Sequence, residues 1–366
     1  MTTDLSRLNL CRVPPAPELQ AYNAADELTV QHCQHNEVAA GRWLLVNDAF
    51  GTLATALSAD YLDWWNDSAM AREALDRNLQ VNNGKTPRII TSTTDLDEHY
   101  AHVIIHAPKS LALFDWQLNE IRQRLINGGQ CWVPGMVKHL SSGHQKVMKR
   151  YFANINPGLA VKKARCVSLS NPIPGSTLLS TSEYTVNGIT LVNHPGSFSE
   201  SHTDPGALAF LGVFNMLPAV ERFVDLGCGN GILALSYLKQ TPNALAILVD
   251  ESRQATASAA ASAERNGLRA QIHHANGLSS LGLTDLPLIL CNPPFHQSTT
   301  LTTDIAHSLF EQAAEALAVD GEFWVVGNRH LNYHKSLRRW FAAVETVSRH
   351  PKFVVFRCRQ AKRQRR

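Results

Sequence analysis

Apolar residues in the second half of the chain fall into short runs that end in polar or glycine-rich turns and alternate with segments of helical periodicity. Phe223-Val224 ends in Asp225, crosses three glycines and enters an apolar helix predicted from Ile232 to Leu238. Leu245 to Val249 predicts a second strand ending in Asp250, Ala270 to His273 a third, and Leu286 to Cys291 a fourth that delivers Asn292-Pro293-Pro294-Phe295. A helix is expected over about 303–318, then a strand from Glu322 to Val326, a loop Gly327-Asn328-Arg329-His330-Leu331, and a last strand from Lys352 to Phe356. Upstream, Tyr184 to Leu191 alternates around Asn187-Gly188, the signal of a two-residue hairpin. Strands and helices alternating in this way predict an α/β fold of the Rossmann-like kind.

The first half repeats the pattern. Leu44 to Ala54 superimposes on Val224 to Ala234 when Asn47 is matched to Gly227. With similar spacing, Asp67-Ser68 falls near Asp250 to Ser252, Asn83-Gly84 on Asn266-Gly267, and Val103 to Lys109 on Leu288 to Pro294, with Ala107 opposite Asn292. Two of three glycines are lost in this copy, so it is expected to fold without catalysing and to serve RNA binding or support. The division expected is a degenerate domain over 1–170, a turn-rich linker over 171–183 (Asn171-Pro172-Ile173-Pro174-Gly175-Ser176-Thr177), and a catalytic domain over 184–366.

The chemistry sits at the ends of the second-half strands, where open α/β sheets bind ligands. A dinucleotide loop reads G-x-G-x-x-G. Here Gly227, Gly229 and Gly231 read G-x-G-x-G, with Asp225 two positions before them. A carboxylate there repels a pyrophosphate but suits the ammonium, sulfonium and ribose of S-adenosylmethionine. Asp250 is placed to accept from the ribose hydroxyls or, equally sensibly, to cap the helix starting near Ser252. Asn276 is a weaker candidate for the adenine edge. His194-Pro195-Gly196-Ser197-Phe198-Ser199 is a candidate lid, with Phe198 and Ser199 against the cofactor.

In the tetrapeptide two prolines remove two amide donors, so the Asn292 amide oxygen and the Pro293 carbonyl can both accept from one substrate amino group. Phe295 would stack on a base. The two motifs together point to methyl transfer from S-adenosylmethionine to an exocyclic nitrogen conjugated to a ring or an amide. Guanine N2, adenine N6 and glutamine N5 all meet that description.

Composition narrows this. The 366 residues suffice for two domains, and no run of about 18 apolar residues suggests a membrane span. The N-terminus lacks a signal-peptide pattern, and seven scattered cysteines without C-x-x-C fit reduced cytoplasmic thiols. The 16 histidines form no ligand pattern with acids or cysteines, so no metal is expected. The net charge is only +3, but Lys146/Lys149/Arg150, Lys162/Lys163/Arg165 and the tail from Arg357 to Arg366 cluster as phosphate grips or as solvated surface. Arg329 is a further candidate RNA contact or a surface ion pair.

Taken in order, Phe198-Ser199, Val224 to Gly231, Val249 to Ser252, Cys291 to His296 and Asn328-Arg329-His330-Leu331 resemble the ribosomal RNA large subunit methyltransferase G family, as do Asn47 to Gly51 and Lys109 to Leu113. The small-subunit methyltransferase C family shares the tandem arrangement. The resemblance implies two class I methyltransferase domains and N2-methylation of guanine in 23S rRNA; a monomer is expected. It implies that Asn292, Pro293 and Phe295 hold the amino group and that Asp225, the glycines and Asp250 hold S-adenosylmethionine. Where that family reads Phe-Ser-Arg, this chain has Phe198-Ser199-Glu200 and lacks the arginine.

Overall fold

Val224, Leu288, Ile289 and Leu290 are wholly buried, as are Leu44, Leu45, Val103 and Ile105. Strands this apolar on both faces need helices on both faces, and a parallel sheet supplies that through its crossovers. The computed structural model describes residues 3–16, 18–35, 41–57, 59–175, 181–198, 202–294 and 300–362. It divides into two compact units, Met1–Leu179 and Ser180–Arg366.

In the N-terminal unit β1 (Trp43–Val46), β2 (Leu62–Trp65), β3 (Arg88–Ile90), β4 (Tyr100–Ile105), β5 (Leu125–Met136), β6 (Phe152–Asn156) and β7 (Ala164–Pro172) form one sheet ordered β3-β2-β1-β4-β5-β7-β6. In the C-terminal unit a hairpin of β8 (Ser182–Val186) and β9 (Ile189–Asn193) precedes the main sheet. That sheet comprises β10 (Arg222–Leu226), β11 (Leu245–Asp250), β12 (Ala270–His274), β13 (Leu286–Cys291), β14 (Leu317–Asn328), β15 (Phe341–Arg349) and β16 (Phe353–Ala361), ordered β12-β11-β10-β13-β14-β16-β15. Only the β14–β16–β15 and β5–β7–β6 pairings are antiparallel within these sheets. The strand order reverses at β10, which pairs with β11 on one side and β13 on the other, and a crevice opens there at the strand ends.

The hairpin forms as its sequence predicts: Val186 faces Ile189 across Asn187 (φ 49°) and Gly188 (φ 74°). The helix expected over 303–318 runs Thr300–Ala316. The helix Tyr333–Trp340 and the edge strand β15 were not singled out: the helix buries Tyr333, Leu337 and Trp340 at the i, i+4, i+7 spacing of an amphipathic helix, a signal present in the sequence, whereas the strand is mostly half-exposed. The expected linker is shorter than its composition suggests. Asn171 and Pro172 close β7 beside Phe152, and Ser182 and Glu183 open β8. Ser176 and Thr177 lie outside the described residues.

The two units match at the level of hydrogen bonds. Ser68 and Ser252 cap helices Ala69–Val81 and Arg253–Arg265, both of 13 residues. At their ends Asn82 grips Asn9 through both backbone groups, and Asn266 grips Thr190 in the same way. The sequence match of Asn83 with Asn266 is therefore off by one: Asn82 is the counterpart, and Asn83 (φ 52°) corresponds to Gly267 (φ 65°). The match of Ala107 with Asn292 slips likewise. Val46 pairs with Ile105 as Leu226 pairs with Cys291, so His106 stands where Asn292 stands. By the same register Asn66, not Asp67, occupies the place of Asp250, since Trp65 pairs with Val46 as Val249 pairs with Leu226 and both Asn66 and Asp250 accept the amide of the capping serine.

Candidate functional site

β10 ends in Asp225 and turns through Gly227, Gly229 and Gly231, at φ 75°, 56° and 86°. These left-handed angles are what the three glycines permit. A Cβ on Gly227 would lie 4.0 Å from the Asn292 carbonyl, so the loop passes directly beside the end of β13. Gly231 then starts the helix Ile232–Gln240.

Asp225 is 1% exposed. Its Oδ2 accepts the Ala234 amide at 3.0 Å, while Oδ1 is buried and meets no donor among the described residues. Burial first, and the charge of Asp250 second, push its carboxyl up to about 7, against the pull of the Ala234 amide. Such an oxygen suits a cationic ligand, which would offset the desolvation.

Asp250 supports the loop from behind. It accepts the Gly229 amide at 2.8 Å and the Ser252 amide at 2.9 Å, each on a different oxygen. The helix cap belongs to Ser252, whose hydroxyl accepts the Ala255 amide. Asn276 is half-buried just past β12, next to Ala275, whose amide donates to the Asp250 carbonyl. Phe198 lines the same cleft as Asp225 and Asn292 and is 42% exposed. Ser199 and Phe295 lie outside the described residues.

Asn292, at the end of β13, is half-buried, with Pro293 buried beside it. Its Nδ2 donates to Asp204 Oδ2 at 3.1 Å. A carboxylate only accepts, so the amide nitrogen must face it and Oδ1 must face the other way. That Oδ1 is buried with no donor among the described residues. The site therefore presents a fixed acceptor at the mouth of the crevice between β10 and β13.

The sequence reading missed Asp204 as a site residue. Asp204 accepts the Ala207 amide at 2.9 Å and caps helix Pro205–Leu211, and the pairing of Asp with Pro at a helix start was its available signal. Asn230 and Tyr184 were missed too. Asn230 Nδ2 donates to Asn193 Oδ1 at 2.8 Å and to the Tyr184 hydroxyl at 3.2 Å, tying the glycine loop to the hairpin. Cys228 and Cys291 are buried in the same region, and burial drives both thiols well above their ordinary value, which keeps them inert.

Several basic candidates are already engaged. Arg150 pairs with Asp115 at 2.5 Å and Lys162 with Glu27 at 2.8 Å. Arg357 sits in β16 and pairs with Glu322, and Lys362 donates to the Arg338 carbonyl at 2.7 Å, so the described part of the tail is structural. Residues 363–366 lie outside the described set. Arg329 donates to the His350 carbonyl. Lys335, Arg338 and Arg339 are exposed on a helix that follows β14, a basic face the sequence reading did not single out. Among the described residues no group of three or more His, Cys, Asp or Glu could hold a metal, and no helix is long and apolar enough to cross a membrane.

Comparison with known proteins supplies independent findings. Residues 188–357 match the Methyltransferase small domain family, and residues 1–172 match the RLMG N-terminal domain family. The chain is 38% identical to the ribosomal RNA large subunit methyltransferase G of Pseudomonas paraeruginosa, covering 97% of this chain and 98% of that one. Its identity to the same-named protein of Ectopseudomonas mendocina is 37%, with 97% and 98% covered. Among solved structures it resembles the T. thermophilus 16S rRNA N2 G1207 methyltransferase in complex with AdoMet and guanosine. The TM-score is 0.78 at 20% identity, covering 98% of this chain and 99% of that one, a likeness of fold.

Proposed function

Because the chain belongs to the ribosomal RNA large subunit methyltransferase G family, we propose that it methylates the exocyclic N2 of one guanine in 23S rRNA, in the cytoplasm, using S-adenosylmethionine. The observation that carries this reading is the Oδ1 of Asn292, without a donor among the described residues, held in orientation by Asp204 and set beside the glycine loop.

The residues fit the cofactor. Asp225 Oδ1, buried and without a donor among the described residues, offers an acid to a cation, and the loop from Gly227 to Gly231 lets a ligand approach the main chain. Asp250, holding the loop through the Gly229 and Ser252 amides, stands at the end of β11 where a ribose would lie. When bound, the cofactor supplies an electrophilic methyl on a sulfonium.

The chain's own task is to make a poor nucleophile aim well. The guanine N2 lone pair is delocalised into the ring. Asn292 Oδ1 and the Pro293 carbonyl accept its two hydrogens and turn the lone pair toward the methyl, which recovers orientation entropy. Both hydrogen bonds strengthen as the nitrogen becomes positive, so they favour the transition state over the ground state. The nitrogen is acidic once the C–N bond has formed and its extra proton leaves to water, so the site needs no strong base.

The test is to incubate the purified protein with methyl-labelled cofactor and to offer protein-free 23S rRNA, 16S rRNA, intact subunits, DNA and a release factor in parallel. Digestion to nucleosides should place the label in N2-methylguanosine from 23S rRNA. Label in adenine, in 16S rRNA or in glutamine would refute the assignment.

A further inference from the structure

β12 is the edge strand of the C-terminal sheet, so the chain that leaves it has a neighbouring strand on one side only. The backbone amides that follow must find partners elsewhere. Ala275 donates to the Asp250 carbonyl at 3.0 Å, and Gly277 donates to the Ala275 carbonyl at 3.0 Å. The second bond closes a three-residue turn with Asn276 at its apex. In the strand order β12-β11-β10-β13 this turn lies beyond Asp250, on the side away from Asn292. A ligand with its methyl at Asn292 and its ribose at Asp250 would bring its base to the turn.

The next two amides are held by one side chain. Gln312, buried on the helix Thr300–Ala316, accepts the Leu278 amide at 2.6 Å and the Ser279 amide at 3.1 Å, both on Oε1. Its Nε2 donates to the Ser308 hydroxyl at 3.1 Å, so the carboxamide is oriented at both ends. Gly277, at φ 75°, makes room for it, since a Cβ there would run into the Gln312 carboxamide.

A clasp needed only for folding would be expected in both units. Helices Leu111–Arg124 and Thr300–Ala316 each run directly into the fifth strand of their sheet, at Leu125 and Leu317, which puts Glu120 in the place of Gln312. Glu120 instead pairs with Arg124 at 2.7 Å. The loop after β3 is closed by its own Ser92 and Asp95. The unit that has lost two of the three loop glycines therefore lacks the clasp as well.

We propose that Gln312 is a positioning residue for the cofactor: its clasp fixes the turn at Asn276 as the wall on which the adenine of S-adenosylmethionine rests. It sets affinity from the base end and takes no part in methyl transfer. A turn already held in its bound shape spares the ligand the cost of ordering it, so release of the turn appears as lost affinity. The proposal rests on the cofactor reading above and not on the choice of guanine.

The experiment uses the full-length protein with Gln312→Leu and Gln312→Glu. Titration calorimetry without RNA measures S-adenosylhomocysteine and methylthioadenosine, which keeps base and ribose but has no amino-acid end. Gln312→Leu removes the acceptor and should weaken both ligands by one factor, roughly tenfold, the scale of one or two hydrogen bonds. In methyl transfer the cofactor KM should rise by a similar factor, with kcat and the KM for RNA nearly unchanged. Gln312→Glu keeps an oxygen for both amides and should restore most of the affinity. Should Gln312→Leu not fold, Gln312→Asn, one methylene short of the amides, takes its place. A lower Tm with both affinities unchanged would make the clasp structural and overturn the proposal. So would weakening confined to S-adenosylhomocysteine, or a fall in kcat at constant KM. A wild type that binds neither ligand would overturn the cofactor reading and this one with it, whereas a methylated product other than N2-methylguanosine would sink the guanine assignment alone.

Discussion

If Asp204 fixes the orientation of Asn292, then replacing it must damage methyl transfer without touching cofactor binding. The carboxylate holds the Asn292 amide through one hydrogen bond of 3.1 Å and caps helix Pro205–Leu211 through another. Asp204→Ser keeps a capping hydroxyl but is too short to reach Asn292. A hydrogen bond to a charged group is worth about 1.5–3 kcal/mol, which sets the ceiling on the loss at roughly ten- to a hundredfold. The floor comes from the amide itself. Freed of its partner it samples two near-isosteric flips, and if it only flipped, the productive acceptor would be lost about half the time, a factor of about two.

The assay is single-turnover methyl transfer to 23S rRNA, with cofactor affinity and thermal stability measured alongside. Asp204→Ser should lower the rate within that bracket while the cofactor Kd and Tm hardly move. Asp204→Ala should add a stability loss of about 1 kcal/mol from the missing cap. In an Asn292→Ala background, Asp204→Ser should cost nothing further, because the group it positions is gone. A rate unchanged in Asp204→Ser, or a loss that adds in full to that of Asn292→Ala, would refute the reasoning.

Asn292→Ala alone should lower methyl transfer by roughly two to three orders of magnitude with cofactor affinity nearly unchanged, as loss of one preorganised transition-state hydrogen bond does; calorimetry showing lost cofactor binding would contradict its assigned role. Asp225 is protonated below about 7 in the free protein, so cofactor affinity should tighten as pH rises through that value, and Asp225→Asn should flatten the profile. The same raised carboxyl destabilises the cofactor-free fold as pH climbs from about 4 to about 7, so Tm of the free wild type should fall relative to Asp225→Asn over that window. Ending the chain after Lys362 removes Arg363, Arg365 and Arg366 and should weaken RNA binding with a lower salt slope, whereas ending it after Arg357 removes the wholly buried Cys358 from β16 and should unfold the C-terminal unit by circular dichroism.

What was legible in the sequence was whatever stands at the end of an apolar strand. Asp225, the glycines, Asp250 and Asn292 are marked by the abrupt change from buried β residues to polar ones, and the crevice of an α/β sheet lies at those ends. Asp204 carries no such mark. It belongs to the entry of a short helix before the first strand of its sheet, and only the folded chain brings it 3.1 Å from a residue 88 positions away. The basic tail misled for the opposite reason, since alternating Arg357 and Arg359 read as a charged end although strand periodicity was placing Phe356 and Cys358 in the core.

The slip of one residue between Ala107 and His106 has the same origin and a larger consequence. Val103-Ile104-Ile105 and Leu288-Ile289-Leu290 are featureless to alignment, because one buried aliphatic residue stands for another in a strand covered on both faces. Backbone pairing sets the register where side chains cannot. With Ala107 opposite Asn292 the first copy looks like simple decay. With His106 there, bonded to Asp26 across the strand end, the copy keeps the geometry of the Asn292–Asp204 pair, a polar side chain just past β4 or β13 held by an acid near the start of a helix. Decay by drift does not explain a preserved pair, and Asp48 likewise takes the Ala54 amide as Asp225 takes the Ala234 amide, so the polar framework of these strand ends is retained with its acids moved to new positions.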